Sequence, residues 1–342
     1  MRKSKKLVAL VTLVLFMAVL LAGCSGKKEP APATPDPAPA KIEITYGSNE
    51  QNNMASGLAS QWVAKEITER SGGRLNVSYH GQGTIGGDQD LIQQVMAGQI
   101  QIAAFSIGMF SSYTPLLEAM QLPFLISDYE EEWAALNSDE WKALTKKVEE
   151  EFDVLIVAQH ENGMRHFATI DKPVNTIADV KGVKMRVAPS VILQKAMELI
   201  GANPMAITYG EVVTALQNKT IDGEEINITS AGSQKHYDVI KYISEIGFYP
   251  YPGPAVINGK WFRTLSADDQ KLILDVFAEG QVKNIKEFIP ETEEKLRKEC
   301  EDNGVKFNVV QDKQPFIDAV APLYDEYSAK DPLIKAFIDK FK

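Results

Sequence analysis

The stretch Val183-Lys184-Met185-Arg186-Val187-Ala188-Pro189-Ser190 predicts a short strand that ends at a proline and leads into a helix. Its apolar residues alternate with Lys184 and Arg186, which is the period of a pleated strand. Ser190 is placed to cap the helix that follows. Arg186 therefore lies near the carboxyl end of a strand, where open α/β sheets bind ligands. Its planar, permanently charged guanidinium suits a carboxylate, although an arginine in a strand also commonly pairs with a structural acid or faces water.

The composition is that of a globular protein with room for two lobes. The chain has 342 residues, of which 44% are apolar and 24% are charged, and its net charge is −10. No basic block occurs beyond the first six residues, which argues against a nucleic-acid partner. We expect a monomer.

The N-terminus predicts export and lipidation. Four positive residues within the first six precede the apolar run Leu7–Leu21, which is too short for a comfortable membrane span but suits a signal peptide. The sequence Leu21-Ala22-Gly23-Cys24 then resembles a bacterial lipoprotein signal. We therefore predict a signal peptide over residues 1–23, lipidation of Cys24, and a Pro/Ala-rich tether over residues 24–40.

Beyond the tether, the hydrophobic pattern predicts two α/β halves in series, with a break near residues 161–163. A β-α-β-α-β run with the spacing of a parallel sheet opens the first half. A long helix is predicted from Ser266 to Asn303, with Pro290 as a kink. The predicted strands are 42–47, 75–79, 100–105, 154–159, 165–169, 183–187, 205–207, 221–225 and 305–310.

Common catalytic signatures are absent from the sequence. It contains no GxSxG, P-loop, GxGxxG or HExxH motif, and its four histidines have no zinc-ligand spacing. Cys300 lies in a charged helical stretch, remote from the histidines. We therefore predict no catalytic residue and no metal site from these motifs.

Polar residues at the ends of predicted strands are the strongest functional signal. Strand ends share one rim of a sheet, so these residues are expected to converge on one cleft. Two of them are arginines with no obvious acid beside them, which implies an anionic ligand. The candidates are Asn49, Ser106, Arg165, Arg186, Tyr209, Glu225, Ile226 and Asn227.

Several motifs, in order, resemble those of a known family. From about Ile42 to Tyr327 the chain resembles the DctP-type substrate-binding proteins of TRAP transporters, which are tripartite and ATP-independent. The motifs are Gly86-Gly87-Asp88, Leu122-Pro123-Phe124-Leu125, Glu161-Asn162-Gly163-Met164-Arg165-His166-Phe167, Lys181-Gly182-Val183-Lys184-Met185-Arg186-Val187, Gly201-Ala202-Asn203-Pro204, Asp222-Gly223-Glu224-Glu225 and Leu265-Ser266-Ala267-Asp268-Asp269-Gln270.

The resemblance implies an α/β, two-lobed periplasmic-binding-protein-like fold with a long helix spanning both lobes. Lobe I is expected to comprise residues 41–162 plus 251–290, and lobe II residues 163–250 plus 291–342. Arg186 matches the arginine that grips the ligand carboxylate, and Arg165 matches an assisting arginine. Asn49, Ser106 and Tyr209 match pocket positions. The implied function is an extracytoplasmic receptor that binds a small organic acid and delivers it to a TRAP membrane permease.

The chain departs from the family pattern at three positions. Ile226 replaces an asparagine that follows the glutamate of its motif, Ala188 replaces a common proline, and Thr169 replaces a frequent asparagine. Ile226 suggests a ligand less polar than a sugar acid, or a pocket in which Glu225 holds a cation. Two other functions stay open at this point: a receptor that serves a membrane sensor, and a secreted hydrolase or isomerase.

Overall fold

A computed structural model describes residues 40–342. The predicted signal peptide, the lipidated Cys24 and all but the last residue of the tether lie outside this range. Within it, two mixed β-sheets are flanked by helices. In the same range, no helix is both long enough and apolar enough to cross a membrane.

The first sheet contains five strands. They are β1 (Ile42–Ser48), β2 (Leu75–His80), β3 (Ile102–Ala104), β4 (Val154–His160) and β10 (Gly253–Asn258). Their order is β2-β1-β3-β10-β4. β1 is parallel to β2 and β3, which confirms the predicted β-α-β-α-β run, whereas β10 is antiparallel to both β3 and β4.

The second sheet contains six strands. They are β5 (His166–Thr169), β6 (Lys184–Val187), β7 (Asn203–Ala206), β8 (Gly223–Ile226), β9 (Tyr242–Glu245) and β11 (Lys306–Val309). Their order is β11-β9-β5-β8-β6-β7. The predicted strand that carries Arg186 is β6, which lies between parallel neighbours β7 and β8.

Helices cover the faces of both sheets. They are α1 (Ala55–Arg70), α2 (Asp88–Ala97), α3 (Tyr129–Asn137), α4 (Asp139–Phe152), α5 (Val191–Leu199), α6 (Val212–Gln217), α7 (Ile228–Ser233), α8 (Gly259–Phe262), α9 (Ala267–Lys283), α10 (Ile289–Asp302), α11 (Gln314–Val320), α12 (Pro322–Lys330) and α13 (Pro332–Phe341).

The predicted long helix is confirmed. α9 continues through one π-helical turn, Asn284–Phe288, into α10, and together they form a helix of 36 residues. Pro290 lies in the first turn of α10, directly after the π turn, where its missing N–H disturbs the helix least. α9 packs against α1 and β4, and α10 packs against α7, so the helix links both sheets.

The C-terminal helix α13 packs against α4. The rings of Trp141 and Phe337 lie 5.6 Å apart, and Lys147 pairs with Asp331 at 2.5 Å. The last segment, which we assigned to lobe II, therefore contacts a helix that we assigned to lobe I. The exact lobe boundaries stay a prediction.

Two chain crossings and the π turn meet at Glu161. Residues 161–165 connect β4 to β5, and residues 246–252 connect β9 to β10. The Glu161 carboxylate accepts hydrogen bonds from the backbone N–H groups of Asn162, Gly163 and Tyr251. Asn284, in the π turn, accepts from the Glu161 N–H at 2.6 Å and donates to the Glu161 carbonyl at 3.1 Å. Both crossings and the long helix are thus bonded to one residue.

We predict that Asn284→Ala lowers the free energy of unfolding by about 2–3 kcal/mol, because it leaves both backbone groups of buried Glu161 without partners. Urea denaturation followed by circular dichroism measures this change. Lys286→Ala, an exposed position in the same turn, is the matched control and is expected to change stability by less than about 0.5 kcal/mol. Equal stability of the two variants would contradict the role of Asn284.

Candidate ligand-binding site

A cavity of about 320 Å³ lies where strand ends of the two sheets face each other. One wall follows β1 and β3 and includes the first turn of α2. The other wall follows β6 and β7, and the chain crossings contribute the floor. The lining residues include Asn49, Glu50, Asp88, Ser106, Asn162, Arg165, Arg186, Ala188, Tyr209 and Tyr251.

Arg186 is buried in the wall of the cavity without an acidic partner. Its side chain is 3% exposed, and its Nε donates to the carbonyl of Ile207 at 2.9 Å. Among residues 40–342, that carbonyl is its one hydrogen-bond acceptor, and no acid forms an ion pair with it. The two terminal nitrogens are therefore left for a bound anion. This geometry matches the position predicted from the β6 pattern.

Arg165 also lines the cavity but is neutralised by the chain itself. Its Nε donates to the Glu225 carboxylate at 2.6 Å, and its Nη2 donates to the Glu225 carbonyl at 2.6 Å. Its guanidinium also lies 4.4 Å from the ring centre of Tyr251. The expectation that both arginines lack a neighbouring acid is thus wrong for Arg165. Of the two arginines, Arg186 is the one that forms no ion pair with a described acid.

Glu225 is engaged as a partner of Arg165. It is fully buried, and its carboxylate also accepts from the Tyr249 hydroxyl at 2.5 Å and from the Ala188 N–H at 3.1 Å. These bonds occupy three of the roughly four acceptor positions of the carboxylate. Within the described residues no group of three or more His, Cys, Asp or Glu side chains could hold a metal ion. The cation considered at Glu225 is therefore not supported.

Ile226 and Asn227 do not line the cavity. Ile226 is 1% exposed and packs in an apolar cluster with Ala168 and Ile243. Asn227 caps α7, because its side-chain oxygen accepts from the Ser230 N–H at 3.0 Å. The suggestion that Ile226 makes the pocket less polar is therefore wrong, since its side chain lies in the core.

Asn49, Ser106 and Tyr209 do line the cavity, as the strand-end argument predicted. Asn49 and Ser106 favour the charged form of Asp88, which shows that they lie beside its carboxyl group. The Tyr209 hydroxyl donates to the Ser230 carbonyl at 3.1 Å, so the phenol is held against α7. Five of the eight candidates therefore meet at one cavity, and the other three are buried residues that do not line it.

Sequence analysis missed two acids and a tyrosine in the cavity wall. Glu50 and Asp88 are 6% and 8% exposed, and Tyr251 is 5% exposed. One Asp88 carboxyl oxygen and the Tyr251 hydroxyl are buried with no hydrogen-bond partner. Glu50 directly follows Asn49 after β1, so the strand-end rule could have included it. Asp88 stood in the Gly86-Gly87-Asp88 motif of the family resemblance, but no role in the pocket was assigned to it.

The two acids titrate far from their ordinary range. Burial, reinforced by the negative charge of Asp88, raises the pKa of Glu50 from 4.5 to about 8, and Ser56, Arg165 and Asn162 only partly oppose this rise. Burial also raises the pKa of Asp88 from 3.8 to about 6, against the opposing effect of Ser106, Asn49 and Arg186. At neutral pH Glu50 is therefore mostly protonated and Asp88 mostly ionised.

We predict that Glu50→Gln stabilises the ligand-free protein at alkaline pH. The folded-state pKa of Glu50 lies above its unfolded value, so its ionisation removes stability as the pH rises from about 4.5 through about 8. Glutamine mimics the protonated form and avoids this loss. We expect the variant to melt at least about 3 °C above the wild type at pH 8.5, with the difference vanishing near pH 5. Differential scanning calorimetry measures it.

Glu151→Gln, on an exposed face of α4, is the control for this experiment and should not show a pH-dependent difference. A constant offset between wild type and Glu50→Gln from pH 5 to pH 8.5 would contradict the assignment.

A two-sheet fold with a buried cavity at facing strand ends is the architecture of an extracytoplasmic solute-binding protein. Residues 46–331 match the family described as bacterial extracellular solute-binding protein, family 7 (DctP). The chain belongs to this family. It is a solute-binding protein and not an enzyme.

Curated relatives support this assignment along nearly the whole chain. The C4-dicarboxylate-binding periplasmic protein DctP of Vibrio cholerae is 27% identical and aligns with 92% of this chain and 93% of its own length. The 2,3-diketo-L-gulonate-binding periplasmic protein YiaO of Escherichia coli is 26% identical, with 84% and 87% covered.

Solved structures give the same result. A TRAP periplasmic solute-binding protein from Roseobacter denitrificans with bound β-D-glucuronate superposes with a TM-score of 0.82 at 27% identity, covering 88% of this chain and 100% of that one. One from Sulfitobacter sp. with bound β-D-galacturonate gives 0.82 at 25% identity, covering 87% and 99%. The predicted two-lobed fold is confirmed by these likenesses.

Proposed function

We propose that the protein is the receptor of a TRAP transporter and that it binds a small organic acid in the cavity between the two sheets. The observation that carries this proposal is the buried guanidinium of Arg186, which faces the cavity and forms no ion pair with an acid of the described residues. A buried charge without a partner is costly, and a ligand carboxylate supplies the bidentate partner that a guanidinium fits best. The ligands named for the relatives, which are C4-dicarboxylates, 2,3-diketo-L-gulonate and uronates, all carry a carboxylate group.

Ligand binding is expected to favour a closed arrangement of the two walls. Arg186 and Tyr209 come from the second sheet, whereas Asn49 and Ser106 come from the first. A ligand that contacts both walls binds the closed state better than the open one and therefore shifts the population toward it. A membrane permease that recognises the closed state would receive only loaded protein.

We predict that Arg186→Ala weakens binding of D-glucuronate, used as a probe, by at least about 100-fold, which corresponds to roughly 2.7 kcal/mol. Isothermal titration calorimetry measures the affinity, and the melting temperature of the ligand-free variant should change little. Lys184→Ala lies on the same strand with its side chain exposed and is the matched control. A variant with unchanged affinity for carboxylates would refute the role of Arg186.

Lipid anchoring through Cys24 is the second part of the proposal. It is supported by the apolar run and by the Leu21-Ala22-Gly23-Cys24 sequence. The Pro/Ala-rich residues 24–40 would then hold the folded part at a distance of up to roughly 50 Å from the membrane surface, at ~3.1 Å per residue.

We predict that Cys24→Ser moves the protein from the membrane fraction to the soluble extracytoplasmic fraction, because the substitution removes the acceptor of the lipid. Fractionation and immunoblotting of cells that express either form measure this change. Cys300→Ser is the control, because Cys300 is buried in α10. Membrane association of both variants would contradict lipidation at Cys24.

A further inference from the structure

The two walls of the cavity carry different ionisable groups, an arginine on one side and two acids on the other. Arg186 lies in the wall that follows β6, and Glu50 and Asp88 lie in the wall that follows β1 and opens α2. The charge of Asp88 acts on Glu50, and Arg186 acts on Asp88, so the three groups share one small volume. A ligand whose carboxylate sits on Arg186 therefore presents its remaining atoms to an acidic wall.

The acidic wall has unfilled hydrogen-bonding capacity. One carboxyl oxygen of Asp88 is fully buried and has no partner in the described part of the protein, and the same holds for the Tyr251 hydroxyl. An unpaired buried polar atom destabilises the ligand-free protein. A ligand group that donates to the Asp88 carboxyl group stabilises its buried charge, whereas a second ligand carboxylate adds repulsion between like charges that are both desolvated.

We propose that Glu50 and Asp88 set the ligand class, by selecting acids that carry hydrogen-bond donors opposite their carboxylate and by excluding dicarboxylates. This inference rests on the proposed function. Family membership alone does not decide the class, because the relatives include a C4-dicarboxylate-binding protein and structures with bound uronates. Glu50 and Asp88 favour a hydroxy acid over a dicarboxylate.

The size of the cavity is consistent with this class. Its volume of about 320 Å³ is at the lower end of small-molecule sites, which span roughly 300–1,000 Å³. A compact acid with several hydroxyl groups can therefore contact both walls. Ammonium groups also donate hydrogen bonds, as hydroxyl groups do. The experiment therefore includes one ligand with each kind of donor.

The test compares four probes by isothermal titration calorimetry at pH 7.5, using ligand-free full-chain protein: D-glucuronate, succinate, hexanoate and 6-aminohexanoate. We expect D-glucuronate to bind at least 10-fold more tightly than succinate and hexanoate. Tightest binding of 6-aminohexanoate would also support donor selection, with ammonium as the donor. Succinate or hexanoate binding as tightly as both donor-bearing probes would overturn the inference.

The double variant Glu50→Gln, Asp88→Asn removes both acids and preserves their shape. We expect it to bind succinate at least 10-fold more tightly than the wild type does, a gain that misfolding does not produce. Asp325→Asn, on an exposed part of α12, should retain wild-type selectivity. A double variant that still rejects succinate would overturn the inference.

The two proposals fail in different ways. Succinate that binds the wild type tightly, but not Arg186→Ala, would preserve the carboxylate receptor and refute the acidic selection. Absence of binding by all four probes would contradict both proposals, because the acidic selection depends on the carboxylate site.

Discussion

A guanidinium buried beside a cavity with no acid directly bonded to it is the constraint on which the site depends. Two arginines line the cavity, and they have different hydrogen-bond partners. Arg165 is paired with Glu225 in a network that Tyr249 completes, whereas Arg186 is held by a single backbone carbonyl. The first arrangement satisfies a charge internally and makes the floor rigid. The second leaves a charge whose partner must come from outside.

The Arg165 network also joins parts of the chain that are far apart in sequence. Glu225 contacts Arg165 from the first crossing, Tyr249 from the second crossing, and the Ala188 N–H directly after β6. One carboxylate thus fixes the end of the strand that carries Arg186 relative to the crossings. A ligand that binds Arg186 therefore contacts β6, and the end of this strand is hydrogen-bonded through Glu225 to both chain crossings.

Local sequence patterns predicted many of the strands and helices. Contacts between residues that are far apart in the sequence could not be predicted in this way. Alternation in Val183–Val187 identified β6 and placed Arg186 at its end. β9 and β10 were missed: all six residues of β10 are buried, so the sequence shows no alternation, and Pro252 and Pro254 suggested a loop. The partner of Arg165 was missed because Glu225 is sixty residues away, and only the antiparallel register of β5 and β8 brings them together.

The π turn changes the spacing of the buried residues along the long helix. In α9 these include Ile273, Val276, Phe277 and Gly280, followed by Asn284, and α10 resumes at Ile289. The step of five from Asn284 to Ile289 replaces the usual three or four, and each extra residue rotates the following helix by about 100°. One continuous helix therefore shifts its buried residues by one position after the π turn, and its first half packs against α1 and β4 while its second half packs against α7.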